Sequence, residues 1–382
     1  MTNTLNSIFQ ERFQKTARTF IAPGRINLIG EHTDYNEGFV MPAAIDKAVQ
    51  LLIAPNGTDT CNIVAQDQST EMSFSVHDLK PSKDWSTYVK GVIDGFQQLN
   101  CQPKGFDAIF SSDIPIGAGL SSSAALSSSF AFAINKLFDF GLDTLQLAKI
   151  GQRAEHNFAG VKCGIMDQYA SLFGKKDSVV LLDCRSLTHQ YFPLALHDHI
   201  LLLVDSKVKH SLASSAYNKR RASCEEAVHI IQQSHPEVKS LRHVSKELLK
   251  SYQSTIPIES FQRSSFIVDE ISRTQHAAEL LKQNNLKAFG ACMYETHEGL
   301  SKIYEVSCAE LDLLVDIARQ HEVTGARMMG GGFGGCTLNL IAKDKVQAFK
   351  EAVQKIYPIT FNVTPAFYQV SIENGVNEIL IK

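Results

Sequence analysis

Apolar positions along the chain change period in a way that marks out its elements. Phe106, Ala108 and Phe110 alternate with other residues, which predicts a strand. Thr19-Phe20-Ile21 is a shorter β-prone run, and another apolar stretch follows around Phe39 and Val40. After Gly119 the chain reads Ser121-Ser122-Ser123-Ala124-Ala125-Leu126 past one leucine and continues, rich in Ala and Leu, through Phe130 to Phe138. Strand, glycine turn and helix follow one another there, with serines at the helix start, where capping hydroxyls are favoured. Asp143 opens a helix through Leu145, Ala148 and Ala154 that ends near Gly160, and Ile165, Tyr169 and Leu172 predict another from about Met166. Further strands are predicted at 179–182, 200–204, 335–341 and 366–372, and further helices at roughly 212–233, 266–282 and 307–320. The mixture predicts an α+β fold in two lobes, 1–190 and 191–382, with the boundary inside 183–199.

Composition narrows the class. A chain of 382 residues suits two domains, and 44% hydrophobic with 20% charged residues is a soluble globular profile. A net charge of −3 argues against nucleic acid as a partner. The longest apolar run, at 200–204, is strand-sized, so no membrane partner is expected, and the mixed polar N-terminus does not read as a signal peptide. Eight cysteines stand singly, which fits neither a zinc site nor a disulfide framework. Reduced thiols and a cytoplasmic location are expected.

Three glycine-rich segments hold the candidate chemistry. In Pro115-Ile116-Gly117-Ala118-Gly119-Leu120-Ser121-Ser122-Ser123 the glycines let backbone N–H groups approach a phosphate, and the helix that follows adds its positive end. Taken alone, this stretch fits a phosphate cradle or an ordinary capped turn. There is no GxxxxGK[ST] motif and no HRD or DFG set, so neither a P-loop ATPase nor a protein kinase is indicated. Arg25, Glu31, His32 and Asp34 crowd into a second segment, a density that suits polyol recognition or a solvated loop. Asp167 alone reads as a helix cap or first-turn acid, Glu155 as an exposed helix glutamate, Tyr217 as an interfacial core tyrosine, and Lys219, Arg220 and Arg221 as a solvated helix face.

The segment 115–125 resembles the second motif of the superfamily of galactokinase, homoserine kinase, mevalonate kinase and phosphomevalonate kinase. The first motif is similarly present at 22–35 and the third at 325–336, and Gly24-Arg25-Ile26-Asn27-Leu28-Ile29-Gly30-Glu31-His32-Thr33-Asp34-Tyr35 is similar to the galactokinase signature. The resemblance implies an N-terminal ribosomal-protein-S5-like lobe, a C-terminal ferredoxin-like lobe, and ATP and galactose bound between them by a chain expected to be monomeric. It implies sugar contacts from Glu31, His32, Thr33, Asp34, Gly164 and Tyr217, and nucleotide contacts from Gly117, Ala118, Gly119, Leu120, Ser121, Ser122 and Ser123. It makes Asp167 the catalytic base and Arg25 the residue near the reacting oxygen, and it gives Mg²⁺ to Ser123 and Glu155. The chemistry has a use for such a pair: the attacking hydroxyl must lose a proton, and a cation offsets charge on the transferring phosphoryl group. Two alternatives stay open, a kinase for N-acetylgalactosamine or arabinose and a non-catalytic sugar sensor, although the complete serine run at 121–123 and the presence of Asp167 favour an enzyme.

Overall fold

The computed structural model describes residues 2–208 and 213–379. Its first lobe is built on a six-stranded sheet whose order, edge to edge, is Asn377–Ile379, Arg18–Asn27, Pro42–Pro55, Phe106–Ser112, Thr60–Ala65 and Thr70–Ser75. Only the pairing of Thr60–Ala65 with Phe106–Ser112 is parallel; the others are antiparallel. Side chains alternate across such a sheet, and both faces are covered. Phe20, Leu51, Ile53 and Phe110 pack with Phe130 and its neighbours on the helix Ser122–Leu137, while Leu52, Ala54, Val64 and Ile109 meet Leu5 and Phe9 from the helix Thr2–Phe13. A small sheet of Phe39–Val40, Ser178–Asp183 and Thr188–Pro193 lies beside them.

The second lobe runs strand, helices, strand, strand, helix, strand. Its antiparallel sheet has the order Gly325–Met328, Cys336–Ala342, His199–Asp205, Ala366–Val370. Numbered along the chain, that is the 4-1-3-2 order of a ferredoxin-like βαββαβ unit. Long helices at Ala213–Gln232, Ile258–Lys282 and Leu286–Lys302 are inserted after its first strand. The first of these covers the predicted 212–233 from Ala213 on; residue 212 lies outside the described residues. The second starts eight residues before the predicted 266, and the third was not predicted.

The chain goes from the small sheet at Thr188–Pro193 to the second sheet at His199–Asp205, but the sheets do not divide it in one cut. Asn377–Ile379 returns to pair with Thr19, Phe20 and Ile21, so the last strand of the chain closes the edge of the first sheet. Among the described residues no helix is long and apolar enough to cross a membrane.

Two local features bring the first two motifs together. The register of Arg18–Asn27 against Pro42–Pro55 shifts between Pro23 and Arg25. At this irregularity Gly24 comes so close to the phosphate-loop segment that an added Cβ would lie 2.8 Å from the Leu120 carbonyl oxygen, and the same carbonyl accepts the Arg25 N–H at 3.2 Å. Glycine is required there by approach rather than by turn geometry. Asp143 closes a capping box with Gln146 and starts the helix Thr144–Ala154. That helix widens into a π-turn at Glu155–Ala159 and stops at Gly160, whose φ is 72°; such a turn often marks a functional position.

The covering helix Thr2–Phe13 gives a direct test of this packing. Phe9→Ala should cost about 3 kcal/mol, the low end for truncating a buried phenylalanine, because a terminal helix can lift off rather than leave a rigid cavity. Urea unfolding should show a lower midpoint.

Candidate active site

A cleft of about 250 Å³ lies where the three glycine-rich segments meet. Cavities for drug-sized ligands run to about 300–1,000 Å³, so this one suits a small polar metabolite. Arg25, Glu31, His32 and Asp34 enter it from the first motif and Ser123 from the second. Glu155 and Asp167 come from the helices behind, Gly164 from the segment between them, Tyr217 from the second lobe, and Gly330 and Gly331 from the third motif.

At its centre is a two-toothed ion pair. Arg25 Nε donates to Asp167 Oδ1 at 2.7 Å and Nη2 donates to Oδ2 at 2.8 Å, while Nη1 donates to the Gly119 carbonyl at 2.6 Å. The planar guanidinium fork suits such a carboxylate. Burial opposes the charge on Arg25, but Asp167, with help from Glu31 and Asp34, more than offsets it and raises the arginine's pKa. Asp167 opens the helix Met166–Phe173 without capping it, and its side chain keeps 27% exposure, toward the cleft.

The serine run departs from the capped start expected of it. Ser121 sits in left-handed backbone at φ 58° and makes no side-chain cap to the helix that begins at Ser122; its hydroxyl donates to Asp167 instead. The cost is an uncapped helix, and the consequence is first-turn N–H groups with no side chain in their way. Gly117 and Gly119 have φ of 77° and 76°, and Ala118 and Leu120 are buried, so these residues shape the loop through backbone.

Ser123 and Glu155 face each other across the cleft floor. Glu155 is buried, not an exposed helix glutamate. Burial raises its pKa to about 7, the Ser123 hydroxyl pulls the other way by hydrogen bonding, and the Asp167 charge raises it further. A buried carboxylate beside a hydroxyl, with no cation bonded to it, is a donor set that fits a hard divalent ion sharing phosphate oxygens. Next to it an apolar slot of about 180 Å³ opens between Trp85, Phe110, Ile114 and Leu126, with Ser122 and Ser123 at its mouth.

The sugar-signature residues divide into two groups. Asp34 faces the cleft, and burial first, then the Asp167 charge, pushes its pKa up to about 7, against the pull of the Tyr35 and Met166 N–H groups. Gly164 leaves room for it: a Cβ there would stand 2.0 Å from the Asp34 carboxylate. Glu31 reaches the cleft edge but is bound on every side, by Asn27, by the Gly330 N–H and by Arg327 Nη2 at 2.6 Å. Thr33 departs from the expected sugar contact. It is buried off the cleft and donates its hydroxyl to the Gly30 and Phe39 carbonyls at 2.9 and 2.6 Å, which fixes the turn that carries its neighbours. His32 and Tyr217 line the cleft with ring centroids 5.1 Å apart.

Sequence reasoning missed Arg327 and misjudged Arg220. Arg327 is fully buried and also donates to the Asn27 carbonyl at 2.5 Å. Arg220, assigned to a solvated face, is buried as well and donates from Nε to the Tyr304 carbonyl at 2.7 Å. A charged residue inside the apolar run of the third motif was the available signal for the first; nothing local distinguished the second from Lys219 and Arg221.

Comparisons with known proteins agree with this geometry. A model described as GHMP kinases N terminal domain matches residues 87–175, one described as GHMP kinases C terminal matches 277–359, and one described as galactokinase galactose-binding signature matches 7–55. Fold and cleft together define a small-molecule kinase of the GHMP type. A galactokinase of Thermotoga neapolitana is 39% identical, covering 94% of this chain and 99% of that one, and one of Clostridium beijerinckii is 38% identical over 99% of both. The crystal structure of Lactococcus lactis galactokinase complexed with galactose matches with a TM-score of 0.95 and 33% identity, covering 99% of this chain and all of that one. Methanococcus jannaschii mevalonate kinase, at 18% identity and a TM-score of 0.67, shares the fold. The chain belongs to the galactokinase family and is an ATP-dependent sugar kinase.

Asp34 carries a pH signature. Its folded pKa, raised to about 7, lies above the ordinary aspartate value of 3.8, so between the two the folded state holds a proton that the unfolded chain has released. The stability contributed by that proton is complete below about pH 4 and is lost as pH rises toward about 7. Ligand-free Asp34→Asn, which does not titrate, should therefore gain on the parent between those limits and keep a constant advantage above them. Thermal melts from pH 4.5 to 8.5 check the direction.

Proposed function

We propose that the chain transfers the γ-phosphoryl group of Mg·ATP to the C1 hydroxyl of D-galactose. The observation that carries this reading is the Arg25–Asp167 pair, which the phosphate-loop residue Ser121 joins through its hydroxyl, so that acceptor and donor groups converge on one point. Galactose lies in the cleft, with Asp34, His32 and Tyr217 as its partners and Glu31 at the edge. The nucleobase occupies the apolar slot by Trp85, and the phosphates lie along Gly117 to Ser123, with the uncapped helix end facing them. Most of these groups come from the first lobe, approximately 1–190, and Tyr217 comes from the second, 191–382.

In this arrangement Asp167 accepts the proton of the attacking hydroxyl, and Arg25 steadies both the carboxylate and the charge spreading over the transferring phosphoryl oxygens. Phosphoryl transfer involves little covalent work by the protein, so positioning by these two residues carries much of the rate. Ser123 and Glu155 would hold the magnesium ion, which when bound neutralises phosphate charge. A cation held there would favour the ionised form of the buried Glu155. The site is complete within one chain, which fits a monomer, and eight unpaired thiols fit the cytoplasm.

Coupled ADP release tests the substrate. Galactose should give Mg-dependent turnover orders of magnitude above glucose, because a site built around an axial C4 hydroxyl leaves polar groups unpaired when that hydroxyl is equatorial. Equal turnover of both sugars would sink the reading. Asp167→Asn should lower single-turnover rate by at least about 10²-fold while calorimetry still detects galactose binding, since an amide can bond a hydroxyl but cannot take its proton.

Ser123→Ala and Glu155→Ala should each raise the magnesium concentration for half-maximal rate. Titration curves that overlay the parent's would remove both residues from the metal site.

A further inference from the structure

Behind His32, on the side away from the cleft, a chain of side chains crosses from one lobe to the other. His32 Nδ1 is 2.9 Å from the Tyr35 hydroxyl, which is 2.6 Å from the Tyr304 hydroxyl, which in turn is 3.5 Å from Cys224 Sγ. His32 and Tyr35 belong to the first motif. Tyr304 follows the helix Leu286–Lys302, and Cys224 lies on Ala213–Gln232. Tyr304 is fully buried and held at its carbonyl by Arg220 at 2.7 Å and at its ring by Phe266, with centroids 5.1 Å apart. Neither Tyr304 nor Cys224 lines the cleft. The other ring nitrogen of His32, Nε2, is buried, makes no hydrogen bond of ordinary geometry among the described residues although the Gly331 backbone lies close enough to act on the ring, and belongs to a side chain that does line it.

Burial above all, with Arg220 and Arg327 nearby, holds His32 neutral, with its pKa down at about 3 against a smaller opposing pull from the Gly331 backbone. A neutral imidazole has one donor and one acceptor nitrogen, and the hydrogen bond at one decides the other. Two polarities of the chain are possible. In one, Nδ1–H donates to a phenol oxygen and the series ends on a thiol sulfur, the weakest acceptor in it. In the other, Cys224 S–H donates to Tyr304, Tyr304 to Tyr35, and Tyr35 to His32 Nδ1. The second gives the best acceptor, the imidazole nitrogen, a phenolic donor, and leaves only the weak thiol bond at the far end.

We propose that Tyr35 and Tyr304 are positioning residues that fix His32 as its Nε2–H tautomer, so that the histidine meets the sugar as an obligate hydrogen-bond donor in a cleft otherwise rich in carboxylate acceptors. The inference rests on the reading of the cleft as a sugar site and deepens it. The hydroxyl facing His32 is met at its oxygen, and its own proton is free for Asp34, Glu31 or water. A sugar analogue without an acceptor at that point loses a bond that the histidine cannot replace by turning to its other tautomer.

Nitrogen-15 NMR of imidazole-labelled, ligand-free protein at neutral pH is the test, with the His32 signals assigned by their loss in His32→Gln. The parent should show a protonated Nε2 and an unprotonated Nδ1. Tyr35→Phe removes the donor at Nδ1, and Tyr304→Phe removes the donor that obliges Tyr35 to point its proton at the ring, so each variant should shift the His32 signals toward a tautomer mixture. The KM for galactose should rise about 3- to 10-fold in both, as for one lost hydrogen bond, with kcat within about 2-fold of the parent. A parent His32 protonated at Nδ1 overturns the proposal, as do variants with parental tautomer and parental KM. Absence of galactose turnover by the parent would instead overturn the functional reading, and the nitrogen spectrum would still decide this one.

Discussion

The arrangement of the molecule depends on a buried charge pair between its first and third motifs. Arg327 belongs to a strand of the second sheet, and Glu31 to the turn that leaves the first sheet. Taking two such charges out of water is expensive, and attraction alone rarely offsets the cost unless the remaining hydrogen-bonding positions are filled. Here they largely are. Asn27 and the Gly330 N–H complete the shell of Glu31, and the Asn27 carbonyl takes a second arm of Arg327. Fixing Gly330 in this way sets the third glycine loop against the second. An added Cβ at Gly330 would come within 3.1 Å of the Gly119 carbonyl, and one at Gly335 within 3.2 Å of Ala118. Glu31 is therefore as much the joint between the lobes as an edge of the cleft.

Around that joint the cleft stores unfavourable electrostatics. Asp34, half-buried, and Glu155, buried, are acids whose pKa values stand near 7, and the charge of Asp167 raises both. Of these three acids only Asp167 has a cationic partner among the described residues, in Arg25. A site of this kind is less stable without its ligands than an apolar one of the same shape, and ligands that bring hydroxyl protons or a cation supply what is missing. The same logic explains why glycine at 164 is tied to aspartate at 34: the carboxylate occupies the volume that any side chain would need.

What was legible in the sequence was local. The period-two strand at Phe106 to Phe110, the Asp143 cap and the three glycine-rich segments each declare themselves within a dozen residues. The helix Leu286–Lys302 did not, because Gly290 and Gly299 interrupt its apolar face. Both are there for packing: a Cβ at Gly290 would lie 2.0 Å from the Thr324 carbonyl, and one at Gly299 would strike the Phe266 ring. The return of Asn377–Ile379 to the first sheet was illegible for a different reason, since pairing between the two ends of a chain leaves no local pattern. Among site residues, Arg25, Asp34 and Asp167 meet in the cleft. Thr33 shows the limit of reading a motif as a list of contacts, since its hydroxyl is bound within the turn and its side chain does not line the cleft.

Ser121 shows how the sugar side and the phosphate side are made one site. A serine before a helix ordinarily turns its hydroxyl to the N–H groups of the first turn. Left-handed backbone at this residue points the hydroxyl to Asp167 instead. Two things follow from one rotation. The helix end keeps its N–H groups free of a side-chain cap, and the Asp167 carboxylate in the cleft becomes bonded to the glycine loop. Arg25 makes the same link from the other direction, with Nη1 on the Gly119 carbonyl and its remaining fork on Asp167. Arg25, Asp167 and the glycine loop are therefore tied to one another by short, charge-assisted bonds made within the first lobe.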